Sequence, residues 1–128
     1  MGNNTLNLAD ERYVSLVTFK RSGAEVATPV WIASADKLYY VFSEGSAGKV
    51  KRLRNDEHVR LAPCDMCGKV LGSWLTGTAQ VVTDANTLGV AYRELRAKYG
   101  WQIKVVDFFS KLSGRYGRRA MLEINLSQ

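Results

Sequence analysis

From Tyr13 to Lys20 the chain reads Tyr-Val-Ser-Leu-Val-Thr-Phe-Lys, a run of β-branched and aromatic residues that predicts a strand. Arg21-Ser22-Gly23 is a turn signal, and Ala24 to Ala33 continues as a second strand, so the two form a hairpin. Pro29 inside that strand has no N–H for a ladder, which predicts a bulge, an edge or an opening in the sheet. Ser34-Ala35-Asp36 turns the chain into a third strand, Leu38 to Ser43. The spacing then changes. Between Ser46 and Asn55 the apolar positions are Val50 and Leu53, three apart, which predicts a short helix with Ser46 as its N-cap. Val59 to Pro63 reads as a strand, Cys64 to Gly68 as a turn, and Lys69 to Val82 as a longer strand interrupted by Gly72 and Gly77. Thr83 or Asp84 caps a helix running to about Tyr99, with Leu88, Tyr92, Leu95 and Tyr99 on one face and Gly100 at its end. Trp101 to Leu112 reads as a second helix and Arg118 to Leu126 as a last strand.

Strands in meander order with short connections favour antiparallel pairing, and closure into a small β-barrel with peripheral helices follows. With 128 residues the expectation is a single domain spanning 1–128, without repeat, linker or low-complexity segment. A hydrophobic content of 46% against 23% charged residues excludes a disordered or collagen-like chain. Polar residues from Met1 to Asp10 argue against a signal peptide, no apolar run suits a membrane span, and two cysteines suit a reducing compartment, so a cytoplasmic protein is expected.

Eighteen basic against twelve acidic residues give a net charge of +6, which points to an anionic partner: nucleic acid, an acidic membrane surface or a phosphorylated or polycarboxylate small molecule. The basic residues concentrate in Lys49-Val50-Lys51-Arg52-Leu53-Arg54, just after the small-residue stretch Gly45-Ser46-Ala47-Gly48. A small-residue loop opening a helix presents free N–H groups and a favourable dipole to an anion, and Lys49 stands where it could close on a phosphate. The same segment also reads as a solvated basic helix face. It is not a P-loop, because the glycine spacing and the Lys-Ser/Thr ending are missing. Nucleic acid is disfavoured because no aromatics interleave with these cations as stacking platforms.

Cys64-Asp65-Met66-Cys67 is a CxxC without a second pair or a histidine cluster, so one chain cannot close a tetrahedral zinc site from it. It reads as two thiols in a hairpin turn. His58, the sole histidine, reads as a surface residue rather than a base. Trp74 either fills the core or walls a planar ligand. Arg115, Arg118 and Arg119 either are solvated or extend an anion groove.

Taken in order, Tyr13-Val14-Ser15-Leu16-Val17-Thr18-Phe19, Thr28-Pro29-Val30-Trp31, Ser46 to Asn55, Val59 to Asp65, and the Gly72, Trp74, Gly77, Thr78, Ala79 pattern resemble the pyridoxamine-5′-phosphate-oxidase-like split β-barrel superfamily. Within it the chain is most similar to the small flavin- and deazaflavin-dependent (F-420) oxidoreductases. The resemblance runs from about residue 10 to 82. It implies a homodimer with two cofactor sites at the subunit interface, in which Thr28, Pro29 and Val30 line the ring of the cofactor. Ser46 and Lys49 would bind its phosphate with Arg52 nearby, Ser43 would add a phosphate or ring-edge contact, and Trp74 would lie where the partner approaches. Coenzyme F-420 carries a phosphate and an oligoglutamate tail, so a +6 chain favours it over FMN, the alternative; Lys51, Arg52, Arg54 and the Arg115 to Arg119 cluster would meet the tail. The implied activity is hydride transfer to a small conjugated acceptor, with a non-catalytic flavin carrier or sensor as the other reading. No catalytic side chain is implied. A C-terminus without histidine argues against vitamin-B6 oxidase activity, and a single histidine against haem degradation.

Overall fold

A computed structural model describes residues 8–43, 47–100 and 120–126. Among them six strands, β1 (Tyr13–Phe19), β2 (Glu25–Ala35), β3 (Leu38–Ser43), β4 (His58–Cys64), β5 (Leu75–Val81) and β6 (Ala120–Leu126), form a closed antiparallel barrel in the order β1-β2-β3-β6-β5-β4. Two helices, α1 (Ala47–Asn55) and α2 (Ala85–Tyr99), lie against it. This is a split β-barrel, and β2 shows how it is split. Glu25 to Val30 pair with β1, whereas Trp31 to Ala35 pair with β3. Pro29 faces Ser15 in the half bonded to β1 alone, so the strand changes partners where its missing donor does least harm.

Alternation sorts the side chains. Val14, Leu16, Val30, Ile32, Val41, Val59, Leu61, Ala79, Leu122 and Ile124 fill the barrel, and Leu53 of α1 joins them. The outer face of β2, β3 and β6 offers Ala33, Tyr40, Phe42 and Met121 to Ala91, Leu95 and Tyr99 of α2, with Leu88 and Tyr92 alongside. The helix face expected from the spacing is therefore the face that is buried. Asp84 is its N-cap, accepting from Thr87 N at 2.8 Å, and Gly100 ends it, donating to Arg96 O.

Two expectations change. The β2–β3 hairpin turns at Asp36-Lys37, not at Ser34 to Asp36: both turn residues have positive φ, the two-residue hairpin geometry that matches strand twist, so β2 runs on to Ala35. The strand expected over Lys69 to Val82 is only Leu75–Val81. Residues 65–74 instead fold back beside β4. Asp65 caps a tight turn by accepting from Cys67 N and Lys69 N, both at 2.9 Å, and Leu71 N donates to Pro63 O. Only Val70 makes an isolated bridge, to Cys64. The Cys64 to Gly68 turn is as expected, and both cysteines are free thiols, Cys64 buried and Cys67 exposed. The helix expected over Trp101 to Leu112, the Ser46 cap and the Arg115, Arg118, Arg119 cluster lie outside the described residues.

The C-terminal end of α2 is fastened by polar contacts. Tyr99 stacks on Trp31 at 4.6 Å, and its hydroxyl donates to Arg12 O (2.8 Å) and accepts from Ile32 N (3.0 Å). Lys98 Nζ donates to the carbonyls of Ile32 (2.7 Å) and Glu11. Burial, helped by the neighbouring Arg12 and opposed by Asp10 and Glu11, lowers Lys98 to about 8. Burial raises Tyr99 to about 12. The two act with opposite sign. Between pH 8 and the ordinary lysine value the unfolded chain holds the proton that the folded chain has released, so Lys98 makes stability rise with pH. Above about pH 10 the unfolded tyrosine ionises first, so Tyr99 makes stability fall. Denaturant midpoints measured from pH 7 to 11.5 should pass through a maximum just above pH 10. Lys98→Met should abolish the rising limb and keep the falling one; an unchanged profile would refute the assignment.

Candidate functional site

Thr18 begins the site, because it breaks the apolar series of inward positions Val14 and Leu16. It is 1% exposed, and its Oγ1 accepts a 2.7 Å hydrogen bond from Arg52 Nε of α1. That bond, with Leu53 seated in the barrel core, fixes α1 across the barrel end. The Arg52 guanidinium then lies over the first turn of α1: a Cβ at Gly48 would stand 3.0 Å from its Nη1. Lys49, half-buried, feels this guanidinium. Burial lowers its pKa, and the charge of Arg52 adds to the shift. Among the described residues no carboxylate forms an ion pair with either cation. The first turn of α1 holds no acidic residue. Two cations and a positive helix end thus converge on one spot without neutralisation, an arrangement that favours a bound anion.

One inward row further, Thr28 faces Leu16 across the β1–β2 ladder, diagonal to Thr18. Its Oγ1 is buried and has no hydrogen-bond partner. An orphan hydroxyl of this kind costs about 1–3 kcal/mol, so a protein retains one where a ligand or water completes it. Pro29, next in the strand, is exposed on the outer face, whereas the side chain of Val30 is committed to the core at 6% exposure. Val30 can offer a ligand its backbone only.

The other expected site residues are more scattered. Ser43 ends β3 opposite Ala120. Trp74 is 38% exposed beside the outer face of β4, with the Arg60 guanidinium 4.9 Å over its ring and Glu25 bonded in turn to Arg60. Arg54 does not join Lys49 and Arg52; it lines a separate cleft between α1 and β5. Ser46 lies outside the described residues. Sequence reading missed Thr18 and the closeness of Gly48 to the Arg52 guanidinium. The signal for Thr18 was present, a polar residue on the inward phase of an apolar strand. For Gly48 there was none, because its use depends on where Arg52 folds back.

The chain is thus a closed six-stranded split barrel with a cationic helix start at one end. Residues 5–128 match the family model described as pyridoxamine 5′-phosphate oxidase, and the chain belongs to that family. Solved structures share the fold at low identity. A conserved hypothetical protein from Mycobacterium tuberculosis is 19% identical with a TM-score of 0.68, over 94% of this chain and 76% of that one. An FAD-binding protein from Mesorhizobium loti is 18% identical with a TM-score of 0.58, over 94% and 85%. An F420 reductase is 12% identical with a TM-score of 0.61, over 100% and 97%. No curated protein is a significant match to the chain. Among the described residues no helix is long and apolar enough to cross a membrane.

Proposed function

We propose that this protein is an oxidoreductase that uses coenzyme F-420 to transfer hydride between the deazaflavin and a small conjugated acceptor. The observation that carries the reading is the un-neutralised Lys49–Arg52 pair at the start of α1, one row from the orphan Thr28 hydroxyl. The residues fit a phosphorylated ring cofactor. Lys49 and Arg52 would hold the phosphate, Ser46 and Ser43 are further candidates for it, Thr28 would bond the ring edge, and Pro29 with the backbone of Val30 would form the ring wall. When bound, the deazaflavin supplies the hydride chemistry itself. The chain's part is to bind, orient and exclude water. A phosphate alone suits FMN as well. The net charge of +6 favours the more anionic cofactor, while the fold is shared with an F420 reductase and with an FAD-binding protein alike.

The reading includes a second copy of the chain. Met66 (69% exposed), Leu71 (60%), Val70 and Trp74 project from the single segment beside β4, close to Pro29, whose ring lies 3.9 Å from a Cβ built at Gly68. Apolar residues gathered on one face call for a cover, and a two-fold partner there would lay its own loop, Trp74 included, against the ring wall. Light scattering should show a dimer. Met66→Glu with Leu71→Glu should give a folded monomer that has lost most of its cofactor affinity; full affinity in that monomer would refute the interface site.

The deciding experiment titrates the apo-protein with F-420 and with FMN at low and high salt. F-420 should bind more tightly, and its affinity should fall more steeply with salt because more exposed charges are screened. Equal affinities and slopes would favour FMN, and no binding of either would refute the assignment. Turnover of a nitroaromatic or enone acceptor by the reduced complex would separate an enzyme from a carrier.

A further inference from the structure

The described residues contain a ligand-sized space that the cofactor reading does not use. A cleft of about 340 Å³ opens between α1 and β5, lined by Val50, Leu53, Arg54 and Glu57 on one side and by Ala79, Gln80, Val81 and Thr83 on the other. Liquid water would need roughly eleven molecules to fill that volume, and small-molecule sites begin near 300 Å³. Val50, Leu53 and Arg54 follow the i, i+3, i+4 spacing of one face of α1, and Glu57 follows in the link to β4. Lys49 and Arg52 lie roughly a third of a turn around the helix from that face. The cleft is therefore not the phosphate site seen from another angle; α1 stands between them.

Its chemistry also differs. The floor is apolar: Leu53 and Ala79 belong to the barrel core, and Val50 and Val81 flank them. The backbone beneath is satisfied, since Ala79 N donates to Glu57 O at 2.9 Å. The lip carries one cation, Arg54, and one anion, Glu57, both exposed; among the described residues they form no ion pair with each other or with other groups. Gln80 and Thr83 add neutral polar groups. At the start of α1 two unbalanced cations suit a dianion. Here the single guanidinium suits one carboxylate, Glu57 repels a second negative charge, and the apolar floor needs a hydrocarbon body.

We infer that this cleft binds a small monocarboxylate with an alkyl or aryl body, its carboxylate on Arg54 and its body against Val50, Leu53, Ala79 and Val81. The inference stands apart from the cofactor assignment.

The test uses the full chain and 3-phenylpropionate, followed by amide chemical shifts and calorimetry. Saturable binding of one molecule per chain is expected, with the largest shifts at Val50, Arg54 and Ala79 to Val81. Arg54→Gln, which alters only an exposed side chain, should weaken 3-phenylpropionate about tenfold, the scale of one charge-assisted bond. It should leave 3-phenylpropan-1-ol within about twofold, since that ligand has no charge for Arg54 to meet. Val50→Phe should fill the cleft and weaken both; if that variant does not fold, Arg54→Gln decides. Absence of saturable binding at millimolar ligand, shifts centred on Met66 to Trp74, or equal affinity of wild type and Arg54→Gln would each overturn the inference. A weaker F-420 or FMN complex in Arg54→Gln with unchanged 3-phenylpropionate binding would also overturn it and return Arg54 to the cofactor. Failure of both cofactors to bind would leave the expected 3-phenylpropionate results intact, so the two readings fail separately.

Discussion

Gly77→Ala should destabilise the protein by about 3 kcal/mol, the upper end of the usual cost of overpacking. A Cβ at Gly77 would stand 2.6 Å from Asn125 O and 3.1 Å from Leu126 Cα, both backbone atoms of β6. A clash with a side-chain tip relaxes by rotation; a clash with a neighbouring strand relaxes only if the strand moves. Here it cannot move alone. β5 is paired with β6 from Gly77 to Val81 and with β4 from Leu75 to Thr78, and the barrel is closed. Urea unfolding of the variant should show a lowered midpoint at nearly unchanged slope. Gly89→Ala is the control, because a Cβ there meets nothing within 4 Å on α2. It should gain about 0.5–1 kcal/mol from helix propensity. A neutral Gly77→Ala would mean that β6 is free to shift, and the close approach would lose its meaning.

Lys49→Ala combined with Arg52→Ala should reduce cofactor affinity by at least two orders of magnitude. Each removes a charge-assisted contact to the phosphate, about 1.5–3 kcal/mol apiece. The two residues do not behave alike in the free protein. Lys49 is held at a lowered pKa by burial and by Arg52, so its removal relieves repulsion and should leave stability unchanged or slightly raised. Arg52 is bonded to the buried Thr18 hydroxyl, so Arg52→Ala strands that hydroxyl and should cost about 1–2 kcal/mol of folding stability. Thr18→Val with Arg52→Ala should recover part of the loss in stability and none in affinity. Cofactor titration by fluorescence beside urea unfolding separates the two effects. Gly48→Ala offers a gentler probe, because its methyl pushes on the guanidinium and nothing else. Undiminished affinity in the double variant would remove the phosphate assignment.

The order of elements was legible because local chemistry decides it. β1, β3 and α2 follow from β-branched runs, from the Asp84 cap and from the spacing of Leu88, Tyr92, Leu95 and Tyr99, and each agrees with the structure within a residue or so. Pro29 was readable as an opening, since a residue without an N–H cannot stand between two bonded neighbours. Residues 69–74 read as strand because Val70, Leu71 and Trp74 have strand character, while the contacts that bend the segment, Asp65 on two amides and Leu71 N on Pro63 O, are invisible until the turn closes.

The candidate site divides in the same way. Lys49 to Arg54 is legible from the residues alone as a cationic helix following small residues, and Pro29 as a bulge, an edge or an opening in its strand. Only the tertiary structure decided which of those cations act together. Helix periodicity alone places Lys49 and Arg52 on one side and Arg54 on another. It is the bond from Arg52 to Thr18, 34 residues away, and the seating of Leu53 in the barrel that turn the first side toward Thr18 and the second toward β5. A sequence fixes how many charges a helix carries and at what spacing. Which way they face is a property of the surface the helix packs on, and that surface exists only once β1, β4, β5 and β6 have closed.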